Sequence, residues 1–474
     1  MKSLLKLALV LLFPLSVMAQ NSVFENTEAT AGSIRNLSQF ASTEIDAVVY
    51  NPAGLAFSDK AFQISLGGIV GYQLVENKPF NINSDGNAVY DLPHKSTMLR
   101  LTPSLQTYYK WKRLTVSASF ANEGGGGFWR DSYGNAIMDS YIHSVEDDLH
   151  LDIIQTQLQE SHFLINDDDI LRIYSSDFVS KVHNYCGRLG ITYKFANHFS
   201  AYIGGKVNWV QYTDNSDFNL YIQRPSTSER WLLADYLRST QGLVTNSSVD
   251  SIYNKIEKLQ KAGNSNGKGV SLTYAPVVGI NYNNNNINIG LKYEMRTSIH
   301  GDKANMTFPN DFSVGASYSF FNKKLDLSVG ADFKWGFYSD ANSVIHVFNV
   351  SGSNLFYNIC VGANYHFNML NKNFIASASS YFGETFFSVR NTGSYFDVIE
   401  RIAASPARFS LGLQCCLNND FKFDIGFSFN PIYGNTEVFN VTSNFINQEI
   451  LTESHCEYYY MPRIAGGIGV TYSY

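Results

Sequence analysis

The sequence predicts an all-β membrane protein, a 14-stranded antiparallel transmembrane β-barrel. Three observations lead to this prediction. From about residue 62 to Tyr474 there are fourteen strand-length segments, short polar turns alternate with long loops between them, and several segments alternate strictly between apolar and polar residues. Short turns at one end and long loops at the other are typical of outer-membrane barrels. Because fourteen is even, the last strand can pair with the first and close the barrel.

The connections define the two ends of the predicted barrel. Short turns rich in Asn, Lys, Asp and His fit the periplasmic end, long loops fit the cell surface, and two loops have helix-like stretches at 141–158 and 229–259. The turns fall at residues 111–112, 195–197, 283–286, 321–324, 368–372 and 417–420. The loops fall at residues 76–96, 129–179, 214–268, 300–309, 339–353, 390–406 and 435–461.

The alternation within single segments predicts which residues face lipid. In residues 325–338 the odd positions are apolar, whereas the even positions include Asp326, Asp332 and Lys334, and residues 421–430 repeat the pattern. A register slip of one residue would place charges in hydrocarbon, at roughly 2 to 4 kcal/mol for a mid-depth Lys. A soluble β-sandwich is disfavoured, because its strands usually have about 5 to 6 residues and these segments are longer.

Composition agrees with a barrel and argues against several function classes. Charged residues are only 16% of the chain and aromatic residues 15%, as expected for rings flanking a lipid-facing band. The net charge of −6 and the lack of a basic stripe argue against nucleic-acid binding. No HExxH, GxSxG or phosphate-binding glycine loop is present, so no enzyme activity, metal or cofactor is expected. An outer-membrane hydrolase with dispersed catalytic residues is the remaining enzymatic alternative.

The five cysteines have neither the spacing of a disulfide framework nor that of a zinc site. We therefore interpret them as small apolar residues of the barrel wall. They are Cys186, Cys360, Cys415, Cys416 and Cys456.

The amino terminus predicts export. Lys2 and Lys6 precede an apolar run at residues 7–17, and Val17-Met18-Ala19 forms a signal-peptide cleavage site. The expected organisation is a signal peptide at 1–19, a hatch segment at 20–61 and the barrel at 62–474. The hatch segment lacks strand alternation and, because the first strand begins on the periplasmic side, is expected to plug the barrel lumen. No later stretch of about 18 apolar residues predicts a spanning helix.

Asn51-Pro52-Ala53 is the sharpest motif of the hatch segment. Pro52 fixes its own φ and biases Asn51 away from helix, and the Asn side chain can bond nearby backbone, so the tripeptide predicts a rigid turn. The alternative interpretation is an ordinary turn that leads into the first strand.

With its flanks, residues 47–56, the motif resembles the hatch signature of the FadL/TodX family, outer-membrane transporters of long-chain fatty acids and other hydrophobic compounds. The overall layout is similar too: a signal peptide, a hatch, fourteen strands, helical surface loops and an aromatic end at Tyr474. The resemblance implies that the turn lies against the wall where substrate passes.

Four consecutive glycines interrupt the third strand. Such a run predicts a bulge, a kink or a close backbone approach, the alternative being a flexible strand end. In the resembled family the third strand kinks inward and opens a lateral window to the membrane, which makes this run the candidate window. The candidate residues are Gly124, Gly125, Gly126, Gly127 and Phe128.

A fatty-acid carboxylate inside the barrel would need a cation or hydrogen-bond donors. Three cationic side chains are predicted to face the lumen, because they occupy the alternate strand positions that point away from lipid. One more lies in the hatch segment. The alternative is that each is paired with a lumen acid such as Asp332 or Glu294. The four candidates are Lys334, Arg296, Lys292 and Arg35.

The resemblance implies passive transport of hydrophobic compounds by capture in surface loops, passage past the hatch and lateral release. The expected location is the outer membrane of a Gram-negative-type bacterium, where a monomer contacts lipid and lipopolysaccharide. The aromatic carboxy-terminus resembles the signal read by the barrel-assembly machinery. Two alternatives remain open at this point: a general porin, and an interaction or shuttle barrel of a type IX-like secretion system.

Overall fold

A computed structural model gives the fold of most of the chain. The predicted signal peptide and residues 20–28 of the hatch segment lie outside the part that it describes. The described residues are 29–82, 88–90, 94–131, 151–160, 169–224, 229–240, 254, 265–295, 297–300, 305–308, 310–335, 338–339, 355–384, 407–418, 420–429, 433–445, 448–460 and 464–474.

Fourteen strands form a closed antiparallel barrel, as predicted. Each strand pairs with the next, and the last pairs with the first from Gln63 to Tyr72. The strands are β1 Phe62–Ile82, β2 His94–Trp111, β3 Leu114–Asp131, β4 Ile170–Tyr193, β5 Phe199–Arg224, β6 Ser265–Asn283, β7 Ile287–Glu294, β8 Asn310–Phe320, β9 Leu325–Trp335, β10 Leu355–Met369, β11 Lys372–Glu384, β12 Ala407–Cys416, β13 Phe421–Phe429 and β14 Ile464–Ser473.

The six short turns lie where the sequence predicts them, within one or two residues. Three of them use left-handed backbone at non-glycine residues, with φ values of 54° at Lys112, 54° at Asn322 and 57° at Asn371. Asn tolerates this conformation because its short polar side chain can bond to local backbone. The turns therefore reverse the chain without glycine.

The predicted loop boundaries are wrong for the first, second and third loops, because the strands continue beyond them. β1 runs to Ile82, β3 to Asp131 and β5 to Arg224. The apolar and polar alternation of the sequence stops before these strand ends, whereas the hydrogen-bonded ladder continues. A prediction based on alternation alone therefore places the end of a strand too early.

Predicted loops also contain strands of their own. The loop predicted at 435–461 holds a hairpin of Tyr433–Phe445 and Gln448–Tyr460, whose second strand pairs with the outer end of β1. Glu229–Leu232 pairs with β5, although a helix was predicted there. A small separate sheet consists of Thr297–His300, Asn305–Phe308 and Tyr338–Ser339.

Four α-helices are described. α1 (Ala31–Arg35) and α2 (Ala47–Tyr50) belong to the hatch segment, while α3 (Leu151–Glu160) and α4 (Leu233–Thr240) lie within the long loops. The remainder of the two predicted helical stretches, residues 141–150 and most of 241–259, lies outside the described residues. In the part of the chain that the structure describes, no helix has both the length and the apolar character needed to cross a membrane.

The wall is apolar outside and polar inside. On β9 the side chain of Val329 is 49% exposed, whereas Asp332 and Lys334 are 1% and 8% exposed. β13 repeats this, with Ile425 exposed and Asp424 buried. An exposed apolar band with buried charges behind it fits strands that face lipid on one side only, so the predicted facing is correct.

The hatch segment lies inside the ring of strands. Residues of α1 contact β12, β13 and β14, Phe40 contacts β7, β8 and β9, and a 3-10 helix at Pro52–Phe57 is hydrogen-bonded to β4 and β5. α1 begins with a capping box, in which Thr30 Oγ1 accepts from the backbone N–H of Ser33, and Ser33 Oγ accepts from that of Thr30. Contacts on opposite sides of the barrel place this segment in the lumen.

Candidate transport site

Asn51 ends α2 and ties it to the barrel wall. Its φ of −147° takes the backbone out of the helical region, as expected before proline. Its side-chain Nδ2 donates to the backbone oxygen of Ser42 at 2.9 Å and to Asn281 Oδ1 of β6 at 2.8 Å. The side chain thus joins two parts of the hatch segment to one strand.

Pro52 and Ala53 anchor the turn through their backbone oxygens. The Pro52 oxygen accepts from Thr192 Oγ1 of β4 at 2.8 Å, and the Ala53 oxygen accepts from Ser200 Oγ of β5 at 2.6 Å. Both hydroxyls lie beside the short turn between β4 and β5. The motif is therefore fixed to the short-turn end of three consecutive strands.

A row of inward-facing glycines lets the hatch segment approach the wall closely. A Cβ on Gly315 would lie 2.5 Å from the carbonyl carbon of Phe40, and one on Gly412 would lie 2.8 Å from the Cα of Arg35. Contacts this short are not tolerated, so any larger residue would push the hatch segment away. We call this row the glycine girdle; it comprises Gly290, Gly315, Gly330, Gly412 and Gly426.

Arg35 clasps the hatch segment to β11 and β13. Its Nε lies 2.8 Å from Asp424 Oδ1 and its Nη2 lies 2.9 Å from Glu44 Oε2, while Nη1 donates to Ser377 Oγ at 2.8 Å. The guanidinium is almost fully buried. Removing one partner of a buried pair costs about 3 to 5 kcal/mol, so this clasp is a principal attachment. Arg35 was a candidate for carboxylate binding, and the structure shows it already occupied by two acids.

Asp46 is a buried carboxyl beside the clasp. Burial, reinforced by the nearby Asp424 and Glu44 carboxylates, raises the pKa of Asp46 to about 6, although hydrogen bonding to Thr30 and the charge of Arg35 act in the opposite direction. The ordinary pKa of this group is 3.8. The seated hatch segment therefore favours the protonated form.

We expect the hatch segment to be seated less tightly as pH rises from about 4 to about 6. Below this window Asp46 is protonated whether the segment is seated or displaced; above it, the seated form bears a buried charge. A rise of about two pKa units corresponds to roughly 3 kcal/mol. Hydrogen–deuterium exchange of residues 29–58, corrected for intrinsic rates, measures the seating.

The matched variant for this measurement is Asp46→Asn, which is neutral at every pH. It should protect the segment more than the wild type at pH 7.5 and about equally at pH 4. The difference between the two proteins reports the charge of Asp46 together with its repulsion by Asp424 and Glu44, which are present in both. A difference that does not change with pH would show that Asp46 has an ordinary pKa.

Lys292 belongs to a cluster of three cations around one carboxylate. Its Nζ lies 2.6 Å from Glu294 Oε1 and donates to the backbone oxygen of Val49 at 3.3 Å. Arg188 Nη2 lies 2.9 Å and Lys206 Nζ 2.8 Å from the Glu294 oxygens. The cluster touches the end of α2 through Lys292, and a second carboxylate, Asp311, lies opposite Glu294 on β8 and acts on the charge of Lys292. Arg188 and Lys206 were missed in the sequence, although inward parity on β4 and β5 could have found them.

The remaining carboxylate candidates differ in their positions. Lys334 Nζ lies 2.8 Å from Asp332 Oδ2, on the inward face of β9. Arg296 lies outside the described residues. The structure therefore brings Lys292 close to the hatch segment and places Lys334 in an ion pair with one of the acids named as its alternative partner.

The glycine run produces an irregularity in β3. Residues 122–126 of β3 lie opposite only residues 101–103 of β2, and the pairing of β3 with β4 shifts twice across Gly124–Gly127. Regular pairing resumes beyond the glycines, where Phe128 lies opposite Leu99. The predicted bulge is present, with five residues facing three. Its role as a lateral window stays a prediction.

The inner wall next to the bulge is lined by polar side chains instead of the glycines that form the glycine girdle. Here β2 and β3 carry buried side chains whose polar atoms have no hydrogen-bond partner among the described residues. Unpartnered buried groups are rare in close-packed regions. We call this strip the polar seam; it comprises Thr102, Ser104, Gln106, Ser117 and Ser119. The hatch segment is thus tightly fitted on one side and bordered by unsatisfied polar groups on the other.

Comparison with known proteins yields a match in structure only. No family model and no curated protein sequence matches the chain. The structure is similar to that of a Pseudomonas aeruginosa FadL homologue, with a TM-score of 0.54, 12% identity, and 97% of this chain and 99% of that chain covered. It is also similar to the Pseudomonas putida toluene transporter TodX, with a TM-score of 0.52, 14% identity, and coverage of 96% and 100%. At this identity the similarity confirms the predicted resemblance to the FadL/TodX family at the level of the fold.

Proposed function

We propose that the protein is an outer-membrane transporter of the FadL/TodX type that moves hydrophobic compounds passively across the outer membrane. The observation that carries the proposal is the hatch segment seated in a closed barrel whose third strand is bulged. The similar structures include a toluene transporter and a FadL homologue. The proposal involves no catalytic step.

The proposed route has three parts. Surface loops collect the compound, which enters the lumen above the hatch segment and then leaves sideways between β2 and β3 at the bulge. An apolar molecule gains about 0.8 kcal/mol for each CH₂ removed from water, so direct release into lipid avoids the aqueous periplasm. A series of binding sites of increasing affinity is then enough to move the compound along this route, without a nucleotide or a metal.

The contacts of the hatch segment with the glycine girdle and with the polar seam indicate on which side it can move away from the wall. Along the glycine girdle, backbone atoms are in direct contact with the wall, and Arg35 adds a buried clasp. Along the polar seam the hatch segment packs through side chains such as Val48 and Leu55 on Tyr108, beside buried polar groups that lack hydrogen-bond partners among the described residues, and this seam adjoins the bulge. We infer that passage opens between the hatch segment and β2–β3.

Long-chain fatty acids belong to the proposed range of substrates. The cluster around Glu294 gathers three cations at the end of α2, and a fatty-acid carboxylate is proposed to share Lys292 or Arg188 with Glu294 there. Because Lys292 also contacts the Val49 oxygen, an arriving anion would weaken the hold on α2. Arg35 and Lys334 are each matched by nearby acids, and we give them a smaller part.

The proposed setting is the outer membrane of a Gram-negative-type bacterium. A monomer is inserted there by the barrel-assembly machinery and is surrounded by lipid and lipopolysaccharide. A general porin is disfavoured because the hatch segment occupies the lumen. An interaction or shuttle barrel of a type IX-like secretion system remains the second candidate, since its hatch would look similar and only its partner would differ.

Mass spectrometry of the protein purified in a mild detergent tests the proposed function. We expect a co-purified acyl or other hydrophobic compound, in an amount that falls when hydrophobic compounds are withheld from the medium. Stoichiometric recovery of secretion-system proteins, with no hydrophobic compound bound, would favour the shuttle role and contradict the proposal.

A further inference from the structure

Tyr381 presents a buried hydroxyl without a partner. It is an inward-facing residue of β11, 3% exposed, and its hydroxyl has no hydrogen-bond partner among the described residues. Buried tyrosine hydroxyls normally find a partner, because an unsatisfied group bears the full cost of desolvation. The Arg408 guanidinium lies over the ring, 5.9 Å from its centre, and helps to fix its orientation.

Asp332 supplies an unused acceptor nearby. Its Oδ2 accepts from Asn358 Nδ2 at 2.8 Å and lies 2.8 Å from Lys334 Nζ, whereas its Oδ1 has no partner in the described part of the chain. Asp332 is opposite Asn358 on β10, and Tyr381 is on the next strand, opposite Cys360. The charge of Asp332 acts directly on the Tyr381 hydroxyl. A donor and an acceptor therefore converge on one part of the lumen wall.

An apolar layer connects this pair to the bulge. Tyr381 packs in a buried cluster with Leu37 and Phe40 of the hatch segment, and the same cluster reaches Ala121 of β3. Ala121 is the last regularly paired residue before the bulge. A molecule that crosses the lumen over this layer would have polar groups at one end and the proposed exit at the other.

We propose that Tyr381 and Asp332 bind the hydroxyl group of an uncharged amphiphile, such as a long-chain alcohol or a phenol. A hydroxyl can accept from Tyr381 and donate to Asp332 Oδ1 at the same time. A carboxylate only accepts, so it would leave Asp332 Oδ1 unpaired. The inference rests on the proposed transport function and specifies the polar end of the cargo.

The test compares dodecanol, dodecane and dodecanoate binding to the intact protein in detergent micelles, by equilibrium dialysis of the labelled probes. Tyr381→Phe should lower dodecanol affinity about tenfold, the loss of one good hydrogen bond, and leave dodecane affinity unchanged. Dodecanoate affinity should fall less than dodecanol affinity in the variant, because the proposed carboxylate site around Glu294 is unchanged. Unchanged dodecanol affinity in the variant, or an equal loss of dodecanoate affinity, would overturn the assignment.

Thermal unfolding without probe separates ligand binding from a structural role. Tyr381→Phe removes an unpartnered group and should leave the unfolding temperature equal or higher. Tyr108→Phe, the matched control, breaks a 2.5 Å contact with Ser58 and should lower it. If the unfolding temperature of Tyr381→Phe falls as far as that of the control variant, the Tyr381 hydroxyl has a hydrogen-bond partner within the protein. Failure of every probe to bind, dodecane included, would instead contradict the transport function itself.

Discussion

Replacing both Gly125 and Gly126 by valine is expected to abolish uptake of hydrophobic compounds while the barrel still assembles. These residues lie where five residues of β3 face three of β2. Valine favours regular strand geometry and fills space that glycine leaves open, so the pair should close the proposed exit. Uptake of a radiolabelled long-chain fatty acid by cells lacking other transporters should fall at least tenfold. A tenfold fall in rate corresponds to a rise of about 1.4 kcal/mol in the activation free energy.

Two single variants serve as controls for this change. Gly68→Val on β1 and Gly187→Val on β4 add the same side chain where no atom lies within 4 Å of the new Cβ. Both should retain wild-type uptake, and heat-dependent gel mobility reports whether each barrel is folded. If the double variant folds and still transports at low expression, release does not occur at the bulge.

Replacing Gly315 by valine is expected to displace the hatch segment from its seat. The added Cβ would lie 2.5 Å from the carbonyl carbon of Phe40 and 2.7 Å from the backbone nitrogen of Ala41. Both are backbone atoms, which cannot swing aside as a side chain can, and overpacking of this kind costs about 1 to 3 kcal/mol or more. Tryptic cleavage after Arg35, which is buried in the wild type, should become rapid in the folded variant.

The control for this variant is Gly205→Val, because the nearest atom to the new Cβ would be the Ala275 oxygen, at an ordinary contact distance of 3.9 Å. It should resist trypsin as the wild type does. Displacement should also admit large hydrophilic antibiotics through the emptied lumen, so sensitivity to vancomycin is a second measurement. If the Gly315→Val protein resists trypsin and cells that carry it resist vancomycin, the hatch segment is not held by the glycine girdle.

Much of the fold could be predicted from local sequence patterns. Residue parity on β9 and β13 gives the facing of Asp332 and Asp424 correctly, because lipid on one side imposes a period of two. The ends of β1, β3 and β5 could not be predicted this way, since the sequence there no longer alternates although the strand pairing continues. The hairpin at Tyr433–Phe445 and Gln448–Tyr460 was missed for the same reason.

The candidate site was partly predictable. The Asn51-Pro52-Ala53 turn and the bulge at Gly124–Gly127 have strong local signals, from proline and from consecutive glycines. The glycine girdle and the clasp between Arg35 and Asp424 do not, because each depends on which residues the closed barrel brings together across the lumen. The unpartnered hydroxyl of Tyr381 likewise becomes visible only when its neighbours are known.

Photo-cross-linking with a fatty acid that bears a diazirine at the end of its chain shows whether the cargo leaves the lumen through the bulge of β3. The intact protein in outer-membrane vesicles is irradiated during uptake, and cross-linked peptides are identified by mass spectrometry. If release is lateral, residues 100–104 and 122–127 will be labelled in the wild type, and this labelling will be lost in the Gly125→Val, Gly126→Val protein. Labelling confined to the periplasmic end, at residues 192–200 and 281–288, would contradict lateral release.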